Sequence, residues 1–124
     1  MAWADQRRRC VVNDCLFCRI ARGEIPSDIV AEGESWIAIR DINPQAPVHV
    51  LVIPREHVES VHALDAGRSG LIGELVLAAA RVAEKEGIQG GYRVVTNVGA
   101  EAGQSVFHLH LHVLGGRRMG WPPG

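Results

Sequence analysis

The chain has 124 residues, of which 47% are hydrophobic and 22% charged, and its formal net charge is −1. That length suits one domain with its own core, and the composition argues for a globular fold and against disorder. The near-neutral charge gives no bulk attraction to nucleic acid or a membrane surface, and no apolar run approaches the roughly 20 residues of a spanning helix.

Residues 1–13 read as a polar, flexible arm, with residues 14–124 forming the domain. The run Arg7, Arg8, Arg9 is a solvated stretch and a weak candidate for nucleic-acid contact. No apolar segment of signal-peptide length follows it, so a cytoplasmic location is expected. Three cysteines, an odd number, suit a reducing compartment better than a disulfide framework. Residues 16–22 suggest a short helix or turn, stopped by Pro26. Strands are predicted at residues 29–31, 36–39 and 48–53, the last β-branched and closed by Pro54. Two prolines, Pro44 and Pro47, make residues 41–47 a loop. The longest helix is predicted over residues 65–86, with Leu71, Ile72, Leu75, Val76, Ala79 and Val82 on one face and Gly87 at its end. Strands follow at residues 92–97 and 106–114. Strands in runs with one long helix predict an α+β domain: a five-stranded antiparallel sheet with the helix on one face.

The segment His108, Leu109, His110, Leu111, His112, Val113 carries the chemistry. A strand has a side-chain period of two, so the three histidines share one face and the aliphatic residues face the helix. Successive imidazoles then lie about 6.5–7 Å apart. Three readings compete. The histidines are simply polar positions of a half-buried strand, or they hold a metal, or one is a nucleophile flanked by donors. Ligands along one flat strand converge poorly on a single ion. Neutral imidazole is a good nucleophile near neutral pH and a good leaving group afterwards, so the third reading is favoured. One ring nitrogen must then be free, and adjacent donors must meet the charge that develops on phosphoryl oxygens.

Cys15 and Cys18 form a C-x₂-C pair. Such a pair supplies two thiolates to a zinc, and His57 and His108 are candidates to complete a tetrahedral set. A redox pair and two independent buried thiols are the alternatives. Cys10 has no pair in this scheme, and His62 has no role.

The alternating histidines resemble the signature of the histidine-triad (HIT) family. Further matches are Ile25 with Pro26, the loop Asp41 to Pro47, Val52-Ile53-Pro54, Gly103-Gln104-Ser105-Val106 and the tail Trp121-Pro122-Pro123-Gly124. The whole set is most similar to the Hint branch, the histidine-triad nucleotide-binding proteins, from about residue 15 onward. The resemblance implies roles. His110 is the nucleophile, His112 a donor to phosphoryl oxygens, Ser105 the hydroxyl at the scissile bridge, and His49 a histidine behind the triad. Asp41 would bind the ribose hydroxyls, a vicinal diol suiting a carboxylate acceptor. Asn97, Gly103, Gln104 and Val106 surround the phosphate, and Phe17, Ile20, Ile39, Ile42 and Leu51 form the slot for a purine. By themselves these residues read differently. Asp41 would cap a turn, Ser105 and Asn97 would be loop polars, His49 a bonded core histidine, and the apolar five plain core. Bacterial members and the related galactose-1-phosphate uridylyltransferases place one structural zinc on residues matching Cys15, Cys18, His57 and His108.

The implied reaction is hydrolysis of a purine nucleoside 5′-phosphoramidate to the monophosphate, such as AMP, and an amine. The uridylyltransferases carry glutamine at the position of His112, which favours hydrolysis over transfer. The family also implies a homodimer with sheets joined across the interface and Trp121 near the partner's site. Rival readings are a dinucleoside polyphosphate hydrolase of the Fhit branch, which the tail opposes, a nucleotide-binding regulatory protein with incidental hydrolysis, and a zinc or redox protein. Two departures bear on selectivity: Gly120 stands where many Hint proteins have histidine, and Ile39 where an aromatic is common.

Overall fold

A computed structural model describes residues 14–124; the expected arm and Cys10 lie outside the described residues. The elements in chain order are α1 (Leu16–Ala21), β1 (Ile29–Glu32), β2 (Trp36–Arg40), β3 (Val48–Pro54), α2 (Ser69–Lys85), β4 (Tyr92–Val95) and β5 (Leu111–Gly115). Short 3₁₀ turns at Val61–Ala63, Ala66–Arg68 and Ala100–Ala102 punctuate the connections. The five strands form one antiparallel sheet in the order β1-β2-β3-β5-β4. The α+β architecture predicted from the sequence is the one observed.

β3 lies at the centre of the sheet, and every residue after Val48 in it is buried. Its alternation divides the core in two. Val50 and Val52 join Ala38, Leu109, Leu111 and Val113 beneath α2, where Leu75, Ala78, Ala79, Val82 and Ala83 are buried. On the opposite face, Leu51 and Ile53 join Ile37 and Ile39 against Phe17 and Ile20 of α1. The short N-terminal helix therefore covers the sheet face on which the histidines lie.

The long helix and the last strand differ from the sequence reading. The long helix starts at Ser69, because residues 66–68 wind into a 3₁₀ turn. Gly67 and Gly70 weaken helix propensity there, and Asp65 makes no side-chain cap bond. Its buried stripe runs through Leu75, Ala78, Ala79, Val82 and Ala83 at i, i+3, i+4, i+7 and i+8, which turns Val76 outward to 52% exposure. The last strand begins at Leu111, not at residue 106. Upstream of it the ladder is replaced by other bonds: the Leu109 N–H donates to the Val58 carbonyl (2.6 Å), and the Pro54 carbonyl accepts from the His108 ring (2.8 Å).

Candidate active site

The interruption of β5 decides what each histidine does. Alternation persists through the extended residues 108–110, so Leu109, Leu111 and Val113 enter the helix-side core while the imidazoles stay on the α1 side. The rings lean together more than an ideal strand predicts, with the His110 and His112 centroids 4.9 Å apart. Their hydrogen bonds fix three different arrangements.

His110 Nδ1 lies 2.7 Å from the His108 carbonyl oxygen. A carbonyl only accepts, so Nδ1 carries the hydrogen and the lone pair is on Nε2. Among the described residues every buried side-chain polar atom has a partner. Nε2 makes no hydrogen bond, so it opens on the adjacent hollow. Burial holds the His110 pKa below its usual value, against the opposing pull of the His108 carbonyl and Asp41. The ring is thus neutral at neutral pH, with its lone pair on Nε2. The Phe17 ring stands edge-on to it at 5.0 Å, and Thr96 Oγ1 donates to the His110 carbonyl (2.8 Å).

His112 is held through a chain. The Gln45 backbone N–H donates to His49 Nδ1 (3.0 Å), so a neutral His49 carries its hydrogen on Nε2. That hydrogen points at His112 Nδ1, 2.9 Å away, which leaves the His112 hydrogen on Nε2. Asp41 Oδ2 lies 3.4 Å from His49 Nε2, a longer and secondary contact. Burial lowers the His49 pKa despite this carboxylate. Burial, with His110 and His49 as neighbours, lowers that of His112 to about 4. Both rings are therefore neutral, and the Asp41–His49 contact is a carboxylate against a ring N–H and not an ion pair.

Asp41, His49 and His112 lie close enough together to suggest a metal site. The tautomers oppose it, because His49 Nε2 bears the hydrogen that Gln45 imposes and has no lone pair to give. The other cluster has the reverse character. His108 Nε2 donates to the Pro54 carbonyl (2.8 Å), so its Nδ1 is a free donor atom. It faces Cys15 Sγ (3.3 Å), Cys18 Sγ (3.5 Å) and His57 Nδ1 (3.2 Å), and Cys18 Sγ lies 3.4 Å from His57 Nδ1. A tetrahedral zinc with bonds of about 2.0–2.3 Å has ligand–ligand edges of about 3.3–3.8 Å. Those contacts fit such edges, and a bonded second ring nitrogen is the usual support for a metal-ligating histidine. The Cys18 N–H donates to Cys15 Sγ (3.4 Å). Burial lowers the His108 pKa to about 4, which keeps Nδ1 unprotonated.

The hollow beside His110 has a volume of about 650 Å³. Its lining brings together the expected slot residues Phe17, Ile20, Ile39, Ile42 and Leu51 with Asp41, Ser105, Val106, His110 and His112. Ile42 is 99% exposed, so it forms an open lip over the slot. Asp41 Oδ1 accepts from the Asn43 N–H (2.8 Å), the turn-capping bond expected of it as a loop residue, and its carboxylate still borders the hollow. Asn97 lines a separate hollow on the other side of His112. Gln104 is buried; it accepts from the Gly99 N–H and donates to the Glu59 and Val106 carbonyls, tying down the loop that presents Ser105. Gly103 has φ +95°, a left-handed turn residue beside Asn97. Sequence reasoning missed Leu16, Ser27 and Asp28 as lining residues, and Thr96 as the brace of His110. No periodicity marks such positions.

The HIT domain pattern matches residues 22–119. This chain belongs to the HIT domain family. A HIT family hydrolase from Legionella pneumophila is 47% identical with a TM-score of 0.88, covering 90% of this chain and 100% of that one. A HIT family hydrolase from Clostridium thermocellum is 50% identical with a TM-score of 0.86, covering 89% of this chain and 96% of that one. The 14 kDa zinc-binding protein of Zea mays is 44% identical over 119 residues, which is 94% of this chain and 93% of that protein. Within the described residues, no helix of this HIT protein is long and apolar enough to cross a membrane.

Proposed function

We propose that this HIT protein is a Hint-type hydrolase that cleaves the P–N bond of purine nucleoside 5′-phosphoramidates, releasing a monophosphate such as AMP and an amine. The observation that carries the reading is the His110 ring, with Nδ1–H committed to the His108 carbonyl and the Nε2 lone pair open to the hollow. The similarity to the Legionella and Clostridium hydrolases supports hydrolysis as the reaction class.

The base enters the slot of Phe17, Ile20, Ile39, Ile42 and Leu51, and Asp41 accepts from the ribose hydroxyls. His110 Nε2 attacks phosphorus. The P–N bond breaks as the leaving nitrogen takes a proton from the Ser105 hydroxyl, which recovers one from water. His112 Nε2–H donates to a non-bridging oxygen and stabilises the charge that builds there. Water then attacks the nucleotidyl-histidine. The P–Nε2 bond breaks, the monophosphate leaves, and the proton from water passes to solvent. Asn97, Gly103, Gln104 and Val106 shape the surroundings of the phosphate, Gln104 through the loop it ties.

Cys15, Cys18, His57 and His108 would hold a zinc ion, a reading supported by their donor geometry and by the zinc-binding relative from Zea mays. When bound, the ion supplies a structural tie between α1 and the segment that leads into β5. The protein works as a homodimer in the cytoplasm.

Steady-state hydrolysis of an adenosine 5′-phosphoramidate by wild type and His110→Ala tests the proposal. Turnover by wild type and a loss of several orders of magnitude in the variant is the expected result. Equal inertness of both, with wild type still binding AMP, overturns the enzyme reading in favour of a nucleotide-binding module.

A further inference from the structure

Three polar residues that line the hollow beside His110 take no part in holding the phosphate or the ribose: Ser27, Asp28 and Arg40. Ser27 and Asp28 lie in the stretch that leads from Pro26 into β1, and Arg40 ends β2. The Arg40 N–H donates to the Asp28 carbonyl (2.9 Å), so the sheet fixes the backbone that carries the carboxylate. The Arg40 guanidinium gives Nη1 and Nη2 to Glu86 (2.6 and 3.1 Å) and turns Nε toward Asp28 Oδ2 (3.4 Å). Asp28 Oδ1 and the half-buried Ser27 hydroxyl make no hydrogen bond among the described residues.

β2 and β3 lie between β1 and β5. Three strand spacings of about 4.8 Å, roughly 14 Å in all, therefore separate the backbone at Asp28 from the triad strand, a distance that a nucleotide and two side chains span. With phosphorus at His110 and the ribose at Asp41, the part of a purine farthest from the sugar is its six-membered ring, which carries N1 and the C6 substituent. That edge points away from the triad, toward the end of the hollow that Asp28 borders, and it differs between purines. Guanine offers N1–H and the N2 amino group side by side, two donors for one carboxylate. Adenine offers the N6 amino group beside the N1 lone pair, and a carboxylate, which only accepts, meets that lone pair with another. The Ser27 hydroxyl both gives and accepts a hydrogen, so it suits either base. β1 and β4 are the two edges of the sheet, and the tail lies against β4, where Arg93 Nη2 donates to the Gly120 carbonyl (2.7 Å). A homodimer joined on the tail side leaves the Asp28 end uncovered.

Resting on the nucleotide hydrolase reading above, we propose that Asp28, oriented by Arg40, reads the six-membered edge of the base and makes this protein prefer guanosine to adenosine nucleotides. The preference is modest, because the Asp28 side chain is 71% exposed and water competes for the carboxylate. An amide at this position inverts the logic: it sets a donor beside an acceptor, the complement of the adenine edge.

The test compares guanosine, inosine and adenosine 5′-phosphoramidates of one amine, so that leaving ability cancels from every ratio. Inosine keeps N1–H and lacks the N2 amino group. Each compound is assayed for kcat/KM with wild type, Asp28→Asn, Asp28→Ala and Ser27→Ala, and the matching monophosphates are titrated by calorimetry. The expected order in wild type is guanosine, inosine, adenosine, with guanosine favoured over adenosine by roughly fivefold, below the usual worth of a hydrogen bond to a buried charge because solvent competes. Asp28→Ala should bring that ratio close to one, Asp28→Asn should carry it to one or below, and Ser27→Ala should leave it unmoved. No guanosine preference in wild type, or one that survives both Asp28 variants, overturns the inference. So does an equal fall for all three bases, which leaves Asp28 as a brace of Arg40, or a loss of the ratio in Ser27→Ala as large as in Asp28→Ala. If wild type cleaves none of the three compounds, the phosphoramidase reading fails separately. The monophosphate affinities then judge Asp28, and equal binding of GMP and AMP overturns its role.

Discussion

Replacing His112 by Gln tests whether this histidine is held neutral by the fold. Its pKa in the folded chain is lowered to about 4 from an ordinary 6.5. The unfolded chain therefore binds a proton as pH falls through the upper value, while the folded chain resists until the lower. Between them the unfolded state carries more protons, so stability rises with pH and is lost on acidification. At pH 5 an unshifted histidine is almost fully protonated and the folded ring hardly at all. That difference amounts to about 2 kcal/mol, and solvent screening of this half-buried ring reduces it to about 1 kcal/mol. The assay is urea denaturation of both proteins, in the same metal state, at about pH 7.5 and pH 5. Wild type should lose about 1 kcal/mol more than His112→Gln across that interval. Parallel losses would refute the reasoning, because a ring that titrates alike in both states has no enforced neutrality, and the chain from Gln45 through His49 would not be setting its hydrogen.

Two further outcomes follow from the same packing. Cys18→Ser should lower the zinc content read by atomic emission and reduce Tm, since a buried member of the proposed four-residue zinc set is lost; unchanged zinc content and Tm would count against the cluster. Phe17→Ala empties a buried site against both His108 and His110 and should destabilise the protein by about 3–5 kcal/mol in denaturant. It should also lower kcat in phosphoramidate hydrolysis under conditions where the protein stays folded, and a variant that loses stability with kcat intact would confine Phe17 to the core.

The sheet, the long helix and the spread of the slot residues were legible because they rest on periodicity and on residue type. The β-branched run at residues 48–53 is a strand under any partner, and Leu75, Ala79 and Val82 mark a helix face by spacing alone. What periodicity does not encode is where a ladder stops. His108 resembles the strand residues around it, yet its ring takes the Pro54 carbonyl and Leu109 pairs with Val58, so the strand opens at Leu111. Phe17 was legible as an apolar slot residue, but its edge-on contact with two histidines arises from a helix folded over a distant strand. Gln104, expected around the phosphate, shows a related limit. An exposed-looking amide in a glycine-rich loop is buried, because the loop needs its three backbone bonds.

The three histidines of the signature are chemically the same residue at the same spacing, and their tasks diverge through the partner of one ring nitrogen. His108 gives its Nε2 hydrogen to Pro54 and turns a bare Nδ1 to the cysteines. His110 gives its Nδ1 hydrogen to its own chain two residues back and keeps Nε2 as a lone pair. His112 receives at Nδ1 from His49 and keeps Nε2 as a donor. Each arrangement requires the carbonyl or N–H that imposes it, and those groups belong to Pro54, His108 and, through His49, Gln45. Pro54 ends β3, His108 precedes the ladder of β5, and Gln45 sits in the proline loop before β3. The interruption of the ladder at residues 108–110 frees the Pro54 and His108 carbonyls for these bonds. A regular strand through residue 106 would have engaged them in the sheet and left three equivalent rings in a row.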